Sequence, residues 1–371
     1  MKPAAVITSH AAVTCLGENS DATWTALCLG EIGLREEPLG GGYVCPVGRI
    51  KGGRTTFNGL LRRTLTNAPS SWRWTASDTV WIVCSAKGNI EALAGRQGPY
   101  GLADCANILA NEMGLKRAPI CFSTACTSSL AGLAHGVRLL RSGRAGRVAV
   151  SGCDLASKFV LTGFNRIHAV SPVRCRPYDA ERKGINLASA AATVFLEWRS
   201  PQPGEIYVAG EATSNDGFHI SRPDPEGRGL KDCIRRSLSG TVPDFICGHG
   251  TATILNDDTE SVAIAGSGLA TVPVFSVKGQ LGHTLGTCGV LETIITIRCL
   301  KENVILPSVG YDAPGTTAAI NVLREPIQMP ISSGLNLAVG FGGGNAAILL
   351  YKAGPASMLT YNDDIGTRLS S

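Results

Sequence analysis

Long apolar runs are missing from this 371-residue chain. None approaches the roughly 20 residues that a bilayer-crossing helix needs, so no membrane partner is expected. Charge is sparse at 17%, the basic surplus is only +5, and aromatics make up 6%. Without a long basic run, this composition does not support a nucleic-acid partner. CxxC pairs are also absent, although the chain holds thirteen cysteines. An odd number at irregular spacing fits neither a disulfide framework nor a zinc site, so no metal is expected. Most of these thiols are expected to be inert and buried, in a cytoplasmic protein. The glycine cluster "GFGGGN" lacks G-x-G-x-x-G spacing, which removes the main signal for a bound nucleotide. No Pro/Ser-rich linker divides the chain. The opening "MKPAAVITSHAAVTCLG" has no basic n-region or A-x-A-like site and is expected to be a buried strand rather than a secretion signal.

Short β-branched runs are abundant: "TVWIVCSA" (79–86), "APICFST" (118–124), "RVAVSG" (147–152), "ATVFLEW" (192–198), "IYVAGEA" (206–212), "DFICGHG" (244–250), "PVFSVKG" (273–279) and "LNLAVGFGG" (335–343). Stretches with helical spacing, such as 100–114 and 284–301, lie between them. The class is α/β, with mixed sheets covered by helices. Residues 40–75 give no clear pattern, and 354–371 are polar and aperiodic, as expected of a loosely held tail.

Within "CFSTACTSSLAG" (121–132), Ile120 and Phe122 alternate like a strand. Leu130, Leu133, Ala134, Val137 and Leu140 repeat like a helix. Cys126 therefore falls at a strand-to-helix corner. Unpaired amides and the positive end of the helix dipole are expected there to lower the thiol pKa and to hold an oxyanion formed on thioester attack. Taken alone, the stretch also fits one more buried thiol. The chain has six histidines, and two follow apolar strands in small-residue contexts: His249 in "CGHGTATILNDDTE" and His283 in "SVKGQLGHTLGTCGVLE". Such a pair can polarise a carbonyl while a neighbouring carboxylate leaves as carbon dioxide. Singly, each also fits a structural histidine.

Five segments, in order, resemble the β-ketoacyl-acyl carrier protein synthases, the decarboxylating condensing enzymes of the thiolase superfamily. "STACTSSL" resembles the nucleophile motif, and "CRPYDAERKGINLASAAATVFLE" the Arg-Pro-Phe-Asp segment with its following strand. "HGTATILNDDTE" resembles the first histidine motif, "SVKGQLGHTLGTCGVLE" the lysine and second histidine motif, and "GFGGGN" the terminal glycine loop. The resemblance implies a thiolase-like fold of two similar halves layered α-β-α-β-α, with 1–200 carrying the nucleophile, 201–353 the His/His/Lys set and 354–371 the tail. It implies that Cys126 takes an acyl group and that His249 and His283 bind the malonyl thioester and assist its decarboxylation. Lys278, five residues before His283, would pair with Glu292, fourteen residues further on. Backbone amides of Cys126 and Phe341 would form the oxyanion hole, with the Phe341 ring as a gate. Thr251 and Thr253 would bind the phosphopantetheine arm, and Gly342 and Gly343 would let backbone approach the substrate. The implied partners are acyl carrier protein and a second synthase-like chain, identical or not. No bound cofactor is implied, because the substrates ride on the carrier's phosphopantetheine.

Several segments depart from the family pattern. The interval 55–118 looks trimmed, "INLASAAATV" replaces a glycine- and glutamate-rich sequence, and Cys247-Gly248 stands where relatives often have Glu-Ala. These departures suggest a specialised member, from a polyene or polyketide pathway rather than housekeeping fatty acid synthesis. Arg62, Arg63, Arg138, Arg141 and Arg144 are candidates for docking the acidic carrier. Two alternatives stay open. One is a chain-length-factor-like partner subunit, although such subunits have lost the cysteine. The other is an acyltransferase or thioesterase on the same fold, which would not need both histidines.

Overall fold

The computed structural model describes residues 2–40, 42–52, 55–95 and 98–354, so all but the first residue of the expected tail lies outside the described residues. The strands are β1 (Ala4–Val13), β2 (Leu34–Gly40), β3 (Tyr43–Gly48), β4 (Thr79–Cys84), β5 (Ile120–Phe122), β6 (Arg147–Asp154), β7 (Ala190–Arg199), β8 (Ile206–Asn215), β9 (Phe245–Cys247), β10 (Val274–Phe275), β11 (Val304–Ile305), β12 (Ile327–Gln328), β13 (Ser333–Gly340) and β14 (Gly344–Lys352). The helices are α1 (Ser20–Cys28), α2 (Phe57–Leu65), α3 (Ile90–Gly95), α4 (Leu102–Glu112), α5 (Ser128–Arg141), α6 (Lys158–Arg166), α7 (Arg228–Leu238), α8 (Ile254–Gly266), α9 (Lys278–Leu281) and α10 (Cys288–Glu302).

Ten strands hydrogen-bond in the order β10-β9-β13-β14-β8-β1-β7-β6-β4-β5. The order reads as one topology used twice. In the first half β7 is antiparallel to β1 and β6, while β6, β4 and β5 run parallel. In the second, β14 is antiparallel to β8 and β13, while β13, β9 and β10 run parallel. The halves meet at a seam of two residue pairs, Ala5 with Val208 and Val6 with Tyr207.

Period-two burial turns these strands into layers. Val80, Ile82 and Cys84 of β4 and Val148 and Val150 of β6 point inward onto α5 and α10, whereas Trp81, Val83, Ala149 and Cys153 point outward onto α2 and α4. The other half does the same. Ala346, Ile348 and Leu350 of β14 face the centre, and Ala347 and Leu349 face α7 and α8. The central helices touch both halves: α5 packs on β4, β6, β8 and β14, and α10 on β13, β14, β7 and β6. The result is the expected α-β-α-β-α layering.

Close approach in the middle layer depends on missing side chains. A Cβ on Gly132 would lie 2.6 Å from Cys84 Sγ, and one on Gly136 would lie 2.9 Å from Val148 Cγ1. These two glycines lie four residues apart on one face of α5, so the helix settles directly on the sheet. Gly289 does the same between the helices, where a Cβ would come within 2.6 Å of Leu130 Cβ and 2.7 Å of the Leu130 amide nitrogen.

The segment 40–75, unassigned from sequence, holds β3 and α2, the latter capped where Thr56 accepts from the Gly59 amide at 3.1 Å. β14 was not expected. The expected strand over 273–279 shrinks to Val274–Phe275, because Lys278–Leu281 already turns as helix. Gly289→Ala is expected to lower the melting temperature, with overpacking against backbone costing about 1–3 kcal/mol. Gly163→Ala, in α6 with nothing within 4 Å of the added methyl, is expected to raise it by the equivalent of about 0.5–1 kcal/mol. Thermal unfolding of the two variants beside the parent checks the opposite signs.

Candidate active site

Each central helix is preceded by a single 3₁₀ turn, Ala125–Thr127 before α5 and Leu285–Thr287 before α10. The turns are structural equivalents: "TACTSSL" from Thr124 aligns with "TLGTCGV" from Thr284. Both begin with a left-handed residue, Ala125 at φ 52° and Leu285 at φ 55°. The two turns lock together. Ser129 Oγ accepts from the Val290 amide at 3.0 Å, and the Cys288 thiol points at the Cys126 carbonyl at 3.3 Å. Gly340, at the end of β13, brings the second half's sheet against the first turn, since a Cβ there would lie 3.2 Å from the amide nitrogens of Cys126 and Thr127. Gly152, at the equivalent end of β6, makes the same approach to the second turn, where a Cβ would be 2.9 Å from Thr287 Cα.

This interlock carries Cys126 to the histidines. Its Sγ lies 3.1 Å from His283 Nε2, and the rings of His283 and His249 meet edge to face with centroids 5.2 Å apart. All three residues are buried. Burial drives both imidazoles well below their ordinary pKa. The Lys278 charge pushes each further down, and His283 adds to the effect on His249. Both are therefore neutral at physiological pH.

The expectation for the thiol needs correcting. Burial pushes Cys126 up to about 12, and the nearby Lys278 charge only partly offsets it. The helix-entry amides do not create a resting thiolate, because removing the sulfur from water costs more than they return. The resting group is a thiol, and the one side-chain nitrogen among the described residues within hydrogen-bond distance of its sulfur is His283 Nε2.

Lys278 and Glu292 form a buried ion pair, Nζ to Oε1, with both side chains almost fully shielded from solvent. Burial opposes the ammonium, but the Glu292 carboxylate outweighs it and holds the Lys278 pKa above its ordinary value. Donor atoms of Cys126, His249 and His283 lie within 4.8 Å of one another, a span a zinc ion bridges after modest closure. The fixed ammonium close by opposes a divalent cation there.

Two carboxylates on one face of α8 set the loop that carries His249. Glu260 accepts from the His249 and Gly250 amides at 2.6 and 2.8 Å. Asp257 accepts from the Thr251 and Ala252 amides at 2.9 and 3.1 Å. Asp154, at the end of β6, does the corresponding work for the second turn, accepting from the Thr287 hydroxyl at 3.2 Å and the Ser85 hydroxyl at 2.8 Å. None of these three was singled out from sequence. Asp257 and Glu260 sit within the first histidine motif, spaced i and i+3, and that spacing was the available signal.

The triad opens into a cavity of ≈ 450 Å³ bordered by Phe341, Thr251 and Thr253 as well as by Cys126, His249 and His283. The hydroxyls of Thr251 and Thr253 lie 2.9 Å apart along its wall. Phe341 stacks on Phe164 at 5.8 Å and also borders a second cavity of ≈ 510 Å³ on the far side of the nucleophile turn. It thus borders both cavities.

The flanking glycines depart from expectation. Gly342 borders only the second cavity, and Gly343 borders neither. Gly343 is left-handed at φ 78° and leaves room for Asp216, whose Oδ1 would be 2.3 Å from a Cβ there. Its role is to close the β13–β14 hairpin. The candidate docking arginines also miss the main cavity. Arg62 pairs with Glu112, Arg63 with Glu18, and Arg138 and Arg141 with Glu211. Arg144 is exposed, away from the mouth. The cations at the rim are Lys183 and Arg222, both exposed and, among the described residues, without an ion-pair partner.

Comparison with known proteins agrees with this geometry. Residues 84–201 match the family described as "Beta-ketoacyl synthase, N-terminal domain" and residues 206–312 its C-terminal domain. The 3-oxoacyl-[acyl-carrier-protein] synthase 2 of Coxiella burnetii is 32% identical over 64% of this chain and 62% of its own length. The tetracenomycin polyketide synthase ketoacyl synthase alpha subunit of Streptomyces glaucescens is 32% identical over 62% of this chain and 58% of its own. The chain thus spans about three fifths of these relatives' length. Among solved structures, a ketosynthase in complex with its chain length factor from Xenorhabdus doucetiae superposes with a TM-score of 0.86 at 25% identity, covering 95% of this chain and 98% of that one. No helix among the described residues is long and apolar enough to cross a membrane, and all thirteen cysteines are free thiols. The two matched segments cover more than half of the sequence in the right order around a Cys-His-His site, and the chain belongs to the beta-ketoacyl synthase family.

Proposed function

We propose that the chain catalyses decarboxylative Claisen condensation between an acyl group held on Cys126 and a malonyl group on acyl carrier protein. The observation that carries this reading is the 3.1 Å approach of Cys126 Sγ to His283 Nε2, with the His249 ring against His283, in a site open to a cavity.

In the first half-reaction the Cys126 sulfur attacks the acyl thioester carbonyl as its proton passes to His283 Nε2. The carbonyl π electrons move onto oxygen, the helix-entry amides hold that oxyanion, and the carrier thiol leaves with the proton. His283 is neutral again. In the second, His249 and His283, the latter in the tautomer that has exchanged its Nδ1 proton for one on Nε2 through solvent, donate hydrogen bonds to the malonyl thioester carbonyl. Its C–CO₂ bond breaks and carbon dioxide departs, leaving the electron pair as an enolate. The enolate carbon attacks the acyl carbonyl, the carbon–sulfur bond breaks, and the Cys126 thiolate takes the Nε2 proton of His283, whose Nδ1 takes one from solvent. Lys278 favours negative charge on the enolate oxygen and keeps both histidines unprotonated, so they act as donors without trapping a proton. A thiol, two neutral donors and one fixed cation are sufficient, with no strong base.

The complete set argues against a chain-length-factor role. Two donors aimed at one carbonyl favour condensation over simple acyl transfer or hydrolysis. A relative named 3-oxoacyl-[acyl-carrier-protein] synthase 2 and one named for polyketide synthesis match at equal identity, and the trimmed 55–118 interval supports a polyketide or polyene pathway. The free thiols fit work in the cytoplasm. A second synthase-like chain is the proposed neighbour, as in the Xenorhabdus complex.

Cys126→Ala is expected to show no acyl adduct by intact mass while still releasing carbon dioxide from malonyl-carrier thioester. Full elongation by this variant would overturn the assignment. Carrier docking is expected at the rim cations. Lys183→Glu combined with Arg222→Glu should raise the apparent KM for carrier-bound substrate at least about tenfold, the effect of about 1.4 kcal/mol, and leave a small pantetheine thioester unaffected. Arg62→Glu with Arg63→Glu should change neither, as steady-state kinetics on both substrates will read.

A further inference from the structure

Tyr178 is fully buried and its backbone is left-handed at φ 65°, a conformation that costs a bulky L-residue on the order of 1–2 kcal/mol. Three contacts hold it there. Its amide donates to Asp257 Oδ2 at 2.7 Å, its hydroxyl donates to Glu260 Oε2 at 3.0 Å, and its carbonyl accepts from the Gly315 amide at 3.1 Å. Asp257 and Glu260 are the same two carboxylates that collect the amides of the His249 loop. The phenol therefore completes the shell of the group that fixes His249: Glu260 Oε1 takes the His249 amide, and Oε2 takes the Gly250 amide and the Tyr178 hydroxyl.

The residues flanking His249 are shaped to admit this ring. A Cβ on Gly248 would lie 2.1 Å from the Tyr178 hydroxyl oxygen, and one on Gly250 would lie 2.6 Å from Tyr178 Cζ. Gly248 and Tyr178 are both positions where this sequence departs from the family pattern, with glycine where alanine is common and tyrosine where phenylalanine is. The structure shows that one departure makes room for the other.

We infer that Tyr178 is a positioning residue for His249: its hydroxyl, admitted by Gly248, orients the Glu260 carboxylate that sets the His249 backbone and thereby aims the imidazole at the malonyl thioester. The inference rests on the proposed role of His249 in decarboxylation. It assigns the tyrosine no contact with substrate.

The test separates the half-reactions in Tyr178→Phe, Gly248→Ala and the double variant. Tyr178→Phe is expected to acylate Cys126 at close to the parent rate. Its decarboxylation of malonyl-carrier thioester should fall about tenfold, the equivalent of about 1.4 kcal/mol, or one hydrogen bond to a carboxylate. Gly248→Ala should fall at least as far alone. In the Tyr178→Phe background it should cost less than about threefold, since the closest remaining atoms are Glu260 Oε1 at 3.2 Å and Tyr178 Cζ at 3.3 Å and a coupled pair is non-additive. Equal slowing of both half-reactions, no slowing of either, or the same alanine penalty in both backgrounds would overturn the inference. Imidazole NMR of the resting protein gives a readout without turnover: the His249 signals should move in Tyr178→Phe and the His283 signals should stay, and unmoved His249 signals would also overturn it. If the parent itself releases no carbon dioxide, the proposed function fails, and the NMR comparison still decides the positioning.

Discussion

The site depends on two helix entrances meeting at the centre of the molecule, one from each half of a repeated topology. Neither half holds a complete site, because the sulfur comes with the first turn and both imidazoles come with the second half. Bringing the turns together requires small residues at every point of contact. Gly340 and Gly152 let each sheet reach the opposite turn, and Gly289 lets the central helices touch at Leu130. The hydrogen bond from the Val290 amide to Ser129 then fixes the sliding register of one helix on the other. A shift of one ångström there would lengthen the 3.1 Å approach of Cys126 to His283 beyond hydrogen-bond reach.

Electrostatics follows from the same burial. Burial favours the neutral form of the thiol, of both imidazoles and of the neighbouring Cys288 thiol. Lys278 is the exception because Glu292 accompanies it. A buried pair of this kind contributes little net stability against its desolvation cost. Its value is functional, since a positive charge fixed near neutral histidines lowers their affinity for protons and, in the proposed condensation, favours the enolate. Carboxylates that would cancel this field are kept back. Asp257 and Glu260 are turned toward backbone amides, and Asp154 toward hydroxyls and the second turn.

Much of this was legible in the sequence because it rests on local pattern. Ile120 and Phe122 alternate, Leu130, Leu133 and Val137 repeat with helical spacing, and together they place Cys126 at a helix entrance. Lys278 and Glu292 share a segment with His283, and the family resemblance of that segment implied their partnership. What escaped notice depends on contacts between distant segments. β14 was hidden because its apolar residues face buried surfaces on both sides and show no alternation. The thiol pKa was misjudged because the effect of helix-entry amides can be read from position, but the depth of burial cannot. The ion pairs of the candidate docking arginines were hidden for a similar reason: sequence shows that Arg62 and Arg141 are charged but not that Glu112 and Glu211 stand beside them. Lys183 and Arg222 drew no attention as isolated residues, and only the fold sets them on one rim.

The repeat raises a question that the packing answers. With equivalent turns before α5 and α10, a second nucleophile at the position matching Cys126 would face the opposite way through the middle layer. That position is Gly286, where a Cβ would lie 2.6 Å from the Ala86 amide nitrogen, 2.9 Å from the Ser85 carbonyl carbon and 3.0 Å from Asp154 Oδ2. No side chain fits without moving backbone at the end of β4. Asp154 occupies the space instead and ties the second turn to the first half's sheet. The duplication therefore supplies the frame twice and the chemistry once. In one copy the turn is open and carries the sulfur; in the other it is filled from behind, and the histidine just before it, His283, is held rigidly enough to face that sulfur.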